Sequence, residues 1–541
     1  MLHDGENVVA VACYEYSSAS WLEDQDFWRL HGLFRSVELA AQPHVHIENM
    51  QIESDWDPES GSASLDAALT VRNAADAATI SATLKNSDGN VVWETANCAD
   101  PDTSISTGSL NGIHPWSAED PVLYEFEVTV IDHAGNIAEV AVQKVGFRRF
   151  RIEDGIMTIN GKRIVFKGAD RHEFDPKRGR AITREDMLSD VVFCKRHNIN
   201  AIRTSHYPNQ EYWYDLCDEY GLYLIDETNM ETHGTWVANN VERPEDGIPG
   251  SRPEWEGACV DRINSMMRRD YNHPSVLIWS LGNESSAGEV FRAMYRHAHT
   301  IDPNRPVHYE GSVHMREFED VTDIESRMYA HADEIERYLN DGSPAHTDGP
   351  KKPYISCEYM HAMGNSCGNM DEYTALERYP MYQGGFIWDF IDQAIETKLP
   401  DGTTRMCYGG DFGPDLPFVA KHAGLTEAEV IALHTGREYR IYMLGFLPGF
   451  PYLGGLDERL FTPRLNTPRT AIPAGAVGIG GEQTGIYPIA SPGGWQLIGR
   501  TPCKLFDPES GALPYMAGDR IKFEPITAAE FAALAAKEGT A

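Results

Sequence analysis

Basic residues are scarce in this 541-residue chain: 46 Lys and Arg stand against 82 Asp and Glu, a formal net charge of −36. Such a surplus repels nucleic acid and anionic lipid and favours neutral or cationic ligands, and it also serves as a solubilising surface. Long apolar runs are missing as well. No stretch approaches the roughly 20 consecutive apolar residues that a membrane-crossing helix needs, so no membrane role is expected. The nine cysteines are odd in number, scattered, and never spaced as a metal knuckle or disulfide framework. That pattern suits a reducing cytoplasm. The opening residues, Met1-Leu2-His3-Asp4-Gly5, lack the basic stretch and apolar core of a secretory signal and start as if inside a domain.

What is present reads as several domains, since single cores rarely grow past about 250 to 300 residues. Residues 44–147 alternate with period two: Leu65, Ala67, Leu69 and Val71 share one face, as do Tyr124, Phe126, Val128 and Val130. Asp88-Gly89 and Gly135-Asn136 supply turns, so a β-sandwich is predicted there. From about residue 148 the pattern becomes strand, loop, helix. Thr183 and Asp186 form a capping box ahead of Met187, Leu188, Val191 and Val192. Asn209 is expected to open a second helix carrying Trp213, Leu216, Cys217 and Tyr220, closed by Gly221. Eight strands are predicted, at 165–168, 201–204, 223–226, 277–281, 307–310, 326–329, 354–357 and 385–389, which spells a TIM barrel over 148–413. Beyond residue 413, Gly- and Pro-rich punctuation predicts a compact all-β unit, with a final helix capped by Thr527 and Glu530.

In such a barrel, functional groups follow the strand ends on the C-terminal face. Asp170, Arg171 and His172 follow the first predicted strand, His206 the second, Glu231 and His233 the third, Asn283 and Glu284 the fourth, and Glu358 and His361 the seventh. Trp388 and Asp389 end the eighth. Carboxylates after strands four and seven face each other across the barrel mouth, as hydrolysis through an oxocarbenium-like transition state requires. Retention calls for a separation of about 5 to 5.5 Å. One carboxyl must hold a proton near neutral pH while the other stays ionised, and the neighbouring negative charge raises the first. Glu231-Thr232-His233 taken alone is a common pattern and a weak metal signal; oxygen-rich ligation with one imidazole would suit Mg²⁺ or Mn²⁺ better than structural Zn²⁺.

The run Asn272–Ser285, NHPSVLIWSLGNES, resembles the acid/base signature of the glycoside hydrolase family 2 β-galactosidases, and Cys357–Ser366, CEYMHAMGNS, resembles their nucleophile signature. Matching stretches run from Trp21 to Gly413 and include LEDQDFW at 22–28 and QGGFIWD at 383–389. The resemblance implies retaining hydrolysis of terminal β-D-galactosides such as lactose, with Glu358 as nucleophile and Glu284 as acid/base. It implies Mg²⁺ held by Glu231, His233 and Glu284. Asn283 would touch the sugar 2-hydroxyl, and His172, His206, Tyr329, His361 and Trp388 would line the galactose pocket. Asp26 would reach a Na⁺ site and the substrate. The same likeness makes 44–147 an immunoglobulin-like sandwich.

Three departures from the family are expected to matter. Residues 1–43 correspond only to the last strands of its jelly-roll sugar-binding domain. The pattern stops after Gly413, before the eighth barrel helix and part of the Na⁺ site, and the large C-terminal β domains do not follow. From Val419 to Pro502 the chain instead resembles the 5-oxoprolinase B family, with its kinase-inhibitor relatives and the allophanate hydrolase subunit 1 domain. GFLPGFPYLGG at 445–455, TPRT at 467–470 and QTGIYP at 483–488 carry that likeness. It implies a cyclophilin-like β-barrel over 414–541 and a carboxyltransferase-like partner subunit. Tyr408–Gly413 fits the end of the galactosidase barrel and, with Pro414-Asp415-Leu416, also the oxoprolinase pattern. This shared stretch points to a chimera with impaired activity rather than an evolved bifunctional enzyme. A partner-binding or kinase-inhibiting module is the alternative expectation.

Overall fold

The computed structural model describes the chain except residues 1–4, 15, 31, 99–101, 237–246, 343–351, 363–366, 399–403, 408–414, 466–467, 508–510, 527–529, 532–533, 536 and 538–541. Two compact units divide it, Met1–Gln393 and Ala394–Ala541.

In the first unit, a three-stranded sheet of His46–Trp56, Ala63–Arg72 and Asp102–Ser106 packs with a four-stranded one in the order Val91–Cys98, Ala77–Lys85, Tyr124–Asp132, Ile137–Val145. Alternation puts Leu65, Ala67, Leu69 and Val71 on the inner face of one sheet, and Ile80, Leu84, Phe126, Val128 and Val130 on that of the other. The predicted sandwich faces are therefore the buried ones.

The eight barrel strands are Phe166–Arg171, Ala201–Arg203, Tyr223–Glu227, Val276–Ser280, Val307–His308, Glu325–Met328, Tyr354–Tyr359 and Tyr382–Phe390. They pair in parallel in the spatial order five, four, three, two, one, eight, seven, six. Strands five and six approach through Asp323 N–H donating to Val307 O at 2.8 Å and His308 Nε2 to Ser326 Oγ at 2.9 Å. Strands three, four and seven are buried throughout, as parallel strands sheathed by helices must be. Gly384 is obligatory in the eighth strand: its φ is +89°, and a Cβ there would sit 2.0 Å from Phe166 O.

Thr183 and Asp186 exchange the predicted capping bonds at the start of helix Arg184–Arg196. Met187 and Val191 are buried, whereas Leu188 is exposed. The second helix, Glu211–Tyr220, starts later than predicted, with Gln210 at its N-cap. Asn209 cannot cap it because its Oδ1 accepts from Arg171 Nη1 at 2.5 Å. Gly221 closes that helix at φ +77°. No helix follows the eighth strand among the described residues of this unit.

Residues 5–43 contain one short helix, Ala19–Leu22, and the strand Glu23–Asp24, which pairs in parallel with Glu231–Thr232. Leu22 is buried, but Val8, Val9 and Leu39 are more than four-fifths exposed. The segment therefore docks on the barrel mainly around residues 22–35.

The second unit is not all-β. Helices Leu416–Ala423 and Glu427–Thr435 precede its sheet, the latter opened by a Thr426/Glu429 capping box. The sheet is antiparallel and six-stranded, ordered Gln496–Arg500, Ala476–Gly480, Gln483–Ile486, Pro451–Gly454, Glu438–Leu444, Arg520–Lys522. Val419, Val430, Tyr439, Ile441, Leu453 and Ile479 form its core. Thr527, the predicted cap of the last helix, lies outside the described residues.

Candidate active site

Glu358 stands at the end of the seventh strand with only 4% of its surface exposed. Its Oε1 accepts from Arg203 Nη1 at 3.0 Å and its Oε2 from the Tyr329 hydroxyl at 2.8 Å. Burial raises this carboxyl above its ordinary value; Arg203 and His206 pull it down, and Glu284 pushes it up again. The last effect places the two carboxylates within electrostatic reach.

Glu284 follows the fourth strand at a left-handed φ of +32°. Its amide donates to Glu310 Oε1 at 2.9 Å. The neighbouring Ser285 amide donates to the Tyr309 hydroxyl at 3.2 Å, so the end of strand five holds this turn. The Glu284 side chain bonds His233 Nδ1, and Glu231 lies 3.5 Å from the same nitrogen. Ligand atoms of Glu231, His233 and Glu284 all fall within 4.8 Å of one another. Hydrogen bonds to the two carboxylates push the His233 imidazole up to about 10.

Arg203 links the two sides. Wholly buried on strand two, it donates to Glu358, to Asp170 at 3.0 Å, to Glu227 at 2.8 and 3.1 Å, and to Asn283 Oδ1 at 2.7 Å. Asn283 Nδ2 reaches Glu231 Oε2 at 3.2 Å. His206 Nδ1 meets Glu227 Oε1 at 2.7 Å; burial opposes its protonation, but Glu231 and Glu227 outweigh it and raise the imidazole. Burial lifts Glu227 too, yet Arg203 and His206 overcome that and hold it down at about 2. Asp170 goes the other way: burial, Glu358 and Glu227 together keep its carboxyl well above the usual range despite Arg203.

Aromatic rings wall the mouth. The Trp388 indole stacks on His206 at 5.2 Å and meets His172 edge-on at 5.3 Å. Phe27 stacks on His172 at 4.8 Å, and burial drives that imidazole far below its ordinary value. His361 packs 5.8 Å from Tyr329. Asp26 is exposed and meets the cluster through its backbone, its N–H donating to Glu231 Oε1 at 3.1 Å. Residues 363–366, the end of the second signature, and the Tyr408–Pro414 stretch at the join lie outside the described residues.

Sequence reasoning gave no role to Arg203, Glu227 or Glu310. The first two carried a readable signal, a charge inside a strand otherwise buried, since such charges persist only when paired.

Residues 150–424 match the family described as glycosyl hydrolases family 2, TIM barrel domain. The chain belongs to glycosyl hydrolase family 2. Residues 45–148 match a further family 2 domain and residues 1–43 the family's sugar-binding domain. Residues 392–515 match the carboxyltransferase domain, subdomain C and D, so residues 392–424 fit two unrelated descriptions. Beta-galactosidase BgaC of Bifidobacterium adolescentis is 83% identical over 415 residues, covering 76% of this chain and 40% of that protein. The beta-galactosidase of Streptococcus thermophilus is 52% identical over 426 residues, covering 76% and 41%. The chain thus spans about two fifths of the length of these curated relatives. The fold is also that of the beta-glucuronidase of Bacteroides uniformis, with a TM-score of 0.58 at 23% identity over 68% of this chain and 49% of that one. No helix among the described residues is long and apolar enough to cross a membrane.

Proposed function

We propose that the first unit is a retaining β-galactosidase in which Glu358 is the nucleophile and Glu284 the acid/base. The observation that carries this reading is the shared guanidinium: Arg203 binds both the Glu358 carboxylate and Asn283, the residue before Glu284, so strands four and seven present their carboxyls to one space. Glu358 attacks the anomeric carbon as Glu284 protonates the departing glycosidic oxygen. Glycosylation removes the negative charge of Glu358, and Glu284 then takes a proton from the water that releases galactose. The Tyr329 hydroxyl and Arg203 keep the attacking oxygens oriented. Asn283 is placed for the sugar 2-hydroxyl, and His172, His206, His361 and Trp388 for the galactose ring.

Two carboxylates and one imidazole make a donor set that fits Mg²⁺. Glu231, His233 and Glu284 would hold the ion, which supplies a fixed positive charge beside the acid/base. The Asp26 side chain, at the rim, is left for the expected Na⁺ site and substrate contact. Support for a β-galactoside substrate comes from the relatives' names and the two signatures. A cytoplasmic setting agrees with seven described cysteines that are all free. Hydrolysis of a chromogenic β-galactoside by the full chain, with and without Mg²⁺, tests the reading. Mg²⁺-stimulated turnover lost in Glu358→Gln is expected, at a rate far below that of an intact relative. Turnover that survives Glu358→Gln would overturn the assignment.

For the second unit we propose docking to a carboxyltransferase-like partner subunit, supported by exposed Tyr442, Met443 and Phe446 on and beside one sheet strand. Failure of the full chain to associate with such a subunit at micromolar concentration would count against it. We read the join as chimeric because residues 392–424 fit both families; genomic reads continuous across codons 400 to 425 in independent isolates would contradict an artefact.

A further inference from the structure

Beside the candidate active site, a second cavity of about 490 Å³ opens between the 34–35 segment, the loops after strands two and three, and helix Pro253–Asp270. Its wall carries Arg35, Arg180, Arg262 and Arg269 against one acidic residue, Asp261. In a chain of net charge −36 this is a local inversion of sign. The overall charge does not cancel it, because exposed charges are screened beyond a Debye length of roughly 8 Å at physiological salt.

Three of the arginines have carboxylate partners: Arg35 with Glu173, Arg262 with Glu23 and Arg269 with Asp270, each at 2.7 Å. Arg180 has none among the described residues, where no protein oxygen accepts from its side chain. Its guanidinium lies 4.3 Å from the Tyr207 ring centre and 4.4 Å from that of Phe34. Ring contact can fix a guanidinium through its face while its in-plane N–H groups remain available. The Nε atoms of both Arg180 and Arg35 are buried without an acceptor among the described residues. A donor left in that state is costly unless something supplies an oxygen. A positive charge without a counter-ion, two unsatisfied donors and a cavity in the size range of small-ligand pockets share one requirement, an oxyanion with several acceptor oxygens.

We infer that this cavity binds the phosphate group of a small organic phosphate, with Arg180 as its principal anchor. Phosphate matches several convergent guanidinium groups better than a carboxylate does, having up to two charges and three acceptor oxygens. The volume leaves room for an organic body beside Phe34 and Tyr207. The cavity adjoins the candidate active site through shared side chains. The Tyr207 hydroxyl accepts from the Glu173 amide at 3.0 Å and stands 3.4 Å from His172 Nδ1. Gln25 Nε2 bonds both Asn229, on the cavity wall, and His206 O at 3.1 Å. The inference concerns binding and stands independently of the galactosidase reading.

The test is calorimetric titration of the full chain with glycerol 3-phosphate and, separately, inorganic phosphate, at an ionic strength held constant with sodium chloride. Saturable binding is expected, weakened about tenfold to hundredfold in Arg180→Gln, less in Arg180→Lys, and unchanged in the remote Arg337→Gln. Tighter binding of glycerol 3-phosphate would show that the organic body contributes, and equal binding that the phosphate group suffices; either supports the site. If Arg180→Gln does not fold, Arg262→Gln, elsewhere on the wall, is expected to weaken binding instead. No saturable binding at millimolar concentration, or undiminished affinity in the folded arginine variants, would overturn the inference.

Discussion

Replacing Arg203 by Met keeps much of the side-chain volume and removes the one charge that three buried carboxylates share. Asp170, Glu227 and Glu358 each lie 2.8 to 3.0 Å from its nitrogens. Removing one partner of a buried ion pair costs about 3 to 5 kcal/mol. The Glu227 carboxyl gives an independent measure: it is held at about 2 against an ordinary 4.5, and at about 1.36 kcal/mol per unit this is worth about 3 kcal/mol. The sign follows from the depressed value. The contribution is complete above pH 4.5 and is lost as pH falls toward 2, because the unfolded chain takes up the proton first. Arg203→Met should therefore lower stability at pH 7 by about 3 to 5 kcal/mol and flatten the acid side of the stability curve. Urea unfolding followed by tryptophan fluorescence between pH 7 and pH 3 measures both. Arg203→Lys should recover part of the charge effect without the forked hydrogen bonds. A loss below about 1 kcal/mol, the size of an exposed ion pair, together with an unchanged acid slope, would refute the view of Arg203 as the hub of the site.

Tyr329→Phe removes the hydroxyl that donates to Glu358 at 2.8 Å; a hydrogen bond to a charged acceptor is worth about 1.5 to 3 kcal/mol, so steady-state kinetics should show kcat reduced about tenfold to hundredfold. Chelation with EDTA should lower the thermal midpoint of the first unit and Mg²⁺ should restore it, an effect absent in Glu231→Gln, as differential scanning calorimetry can show. In the second unit, burial holds the His434 imidazole down at about 4, and its Nε2 lies 2.8 Å from Thr484 Oγ1. The unfolded chain binds the proton first, so this group's share of stability is intact above pH 6.5 and falls by about 3 kcal/mol as pH drops toward 4. His434→Gln, which cannot titrate, should lose that slope in urea unfolding of the same unit.

The parts of this fold that repeat were legible in the sequence. Period-two alternation marked both sandwich faces because each sheet has one wet side, and the eight barrel strands showed as short apolar runs between capped helices. Asn209 misled because a side chain with capping chemistry was claimed by Arg171 from a distant strand, which local pattern cannot reveal. The two helices at 416–435 were missed although Thr426 and Glu429 form an ordinary capping box; the glycines and prolines farther on dominated the reading of that region. Among the site groups, those following strand ends were found. Arg203 and Glu227 were overlooked because they sit inside strands, where only the three-dimensional pairing of charges explains their presence. Glu310 acts on the backbone of Glu284, a contact that spans 26 residues and leaves no local signature.

The central claim is that Glu358 forms the covalent bond to the sugar. Incubation of the full chain with 2-deoxy-2-fluorogalactosyl fluoride, followed by peptide mass spectrometry, tests it directly, because a retaining enzyme accumulates the glycosyl-enzyme when its second step is slowed. The account predicts one fluorogalactosyl group per chain, on Glu358, absent from Glu358→Gln. A folded protein that takes up no label, or carries it on Glu284 or any other residue, would contradict it.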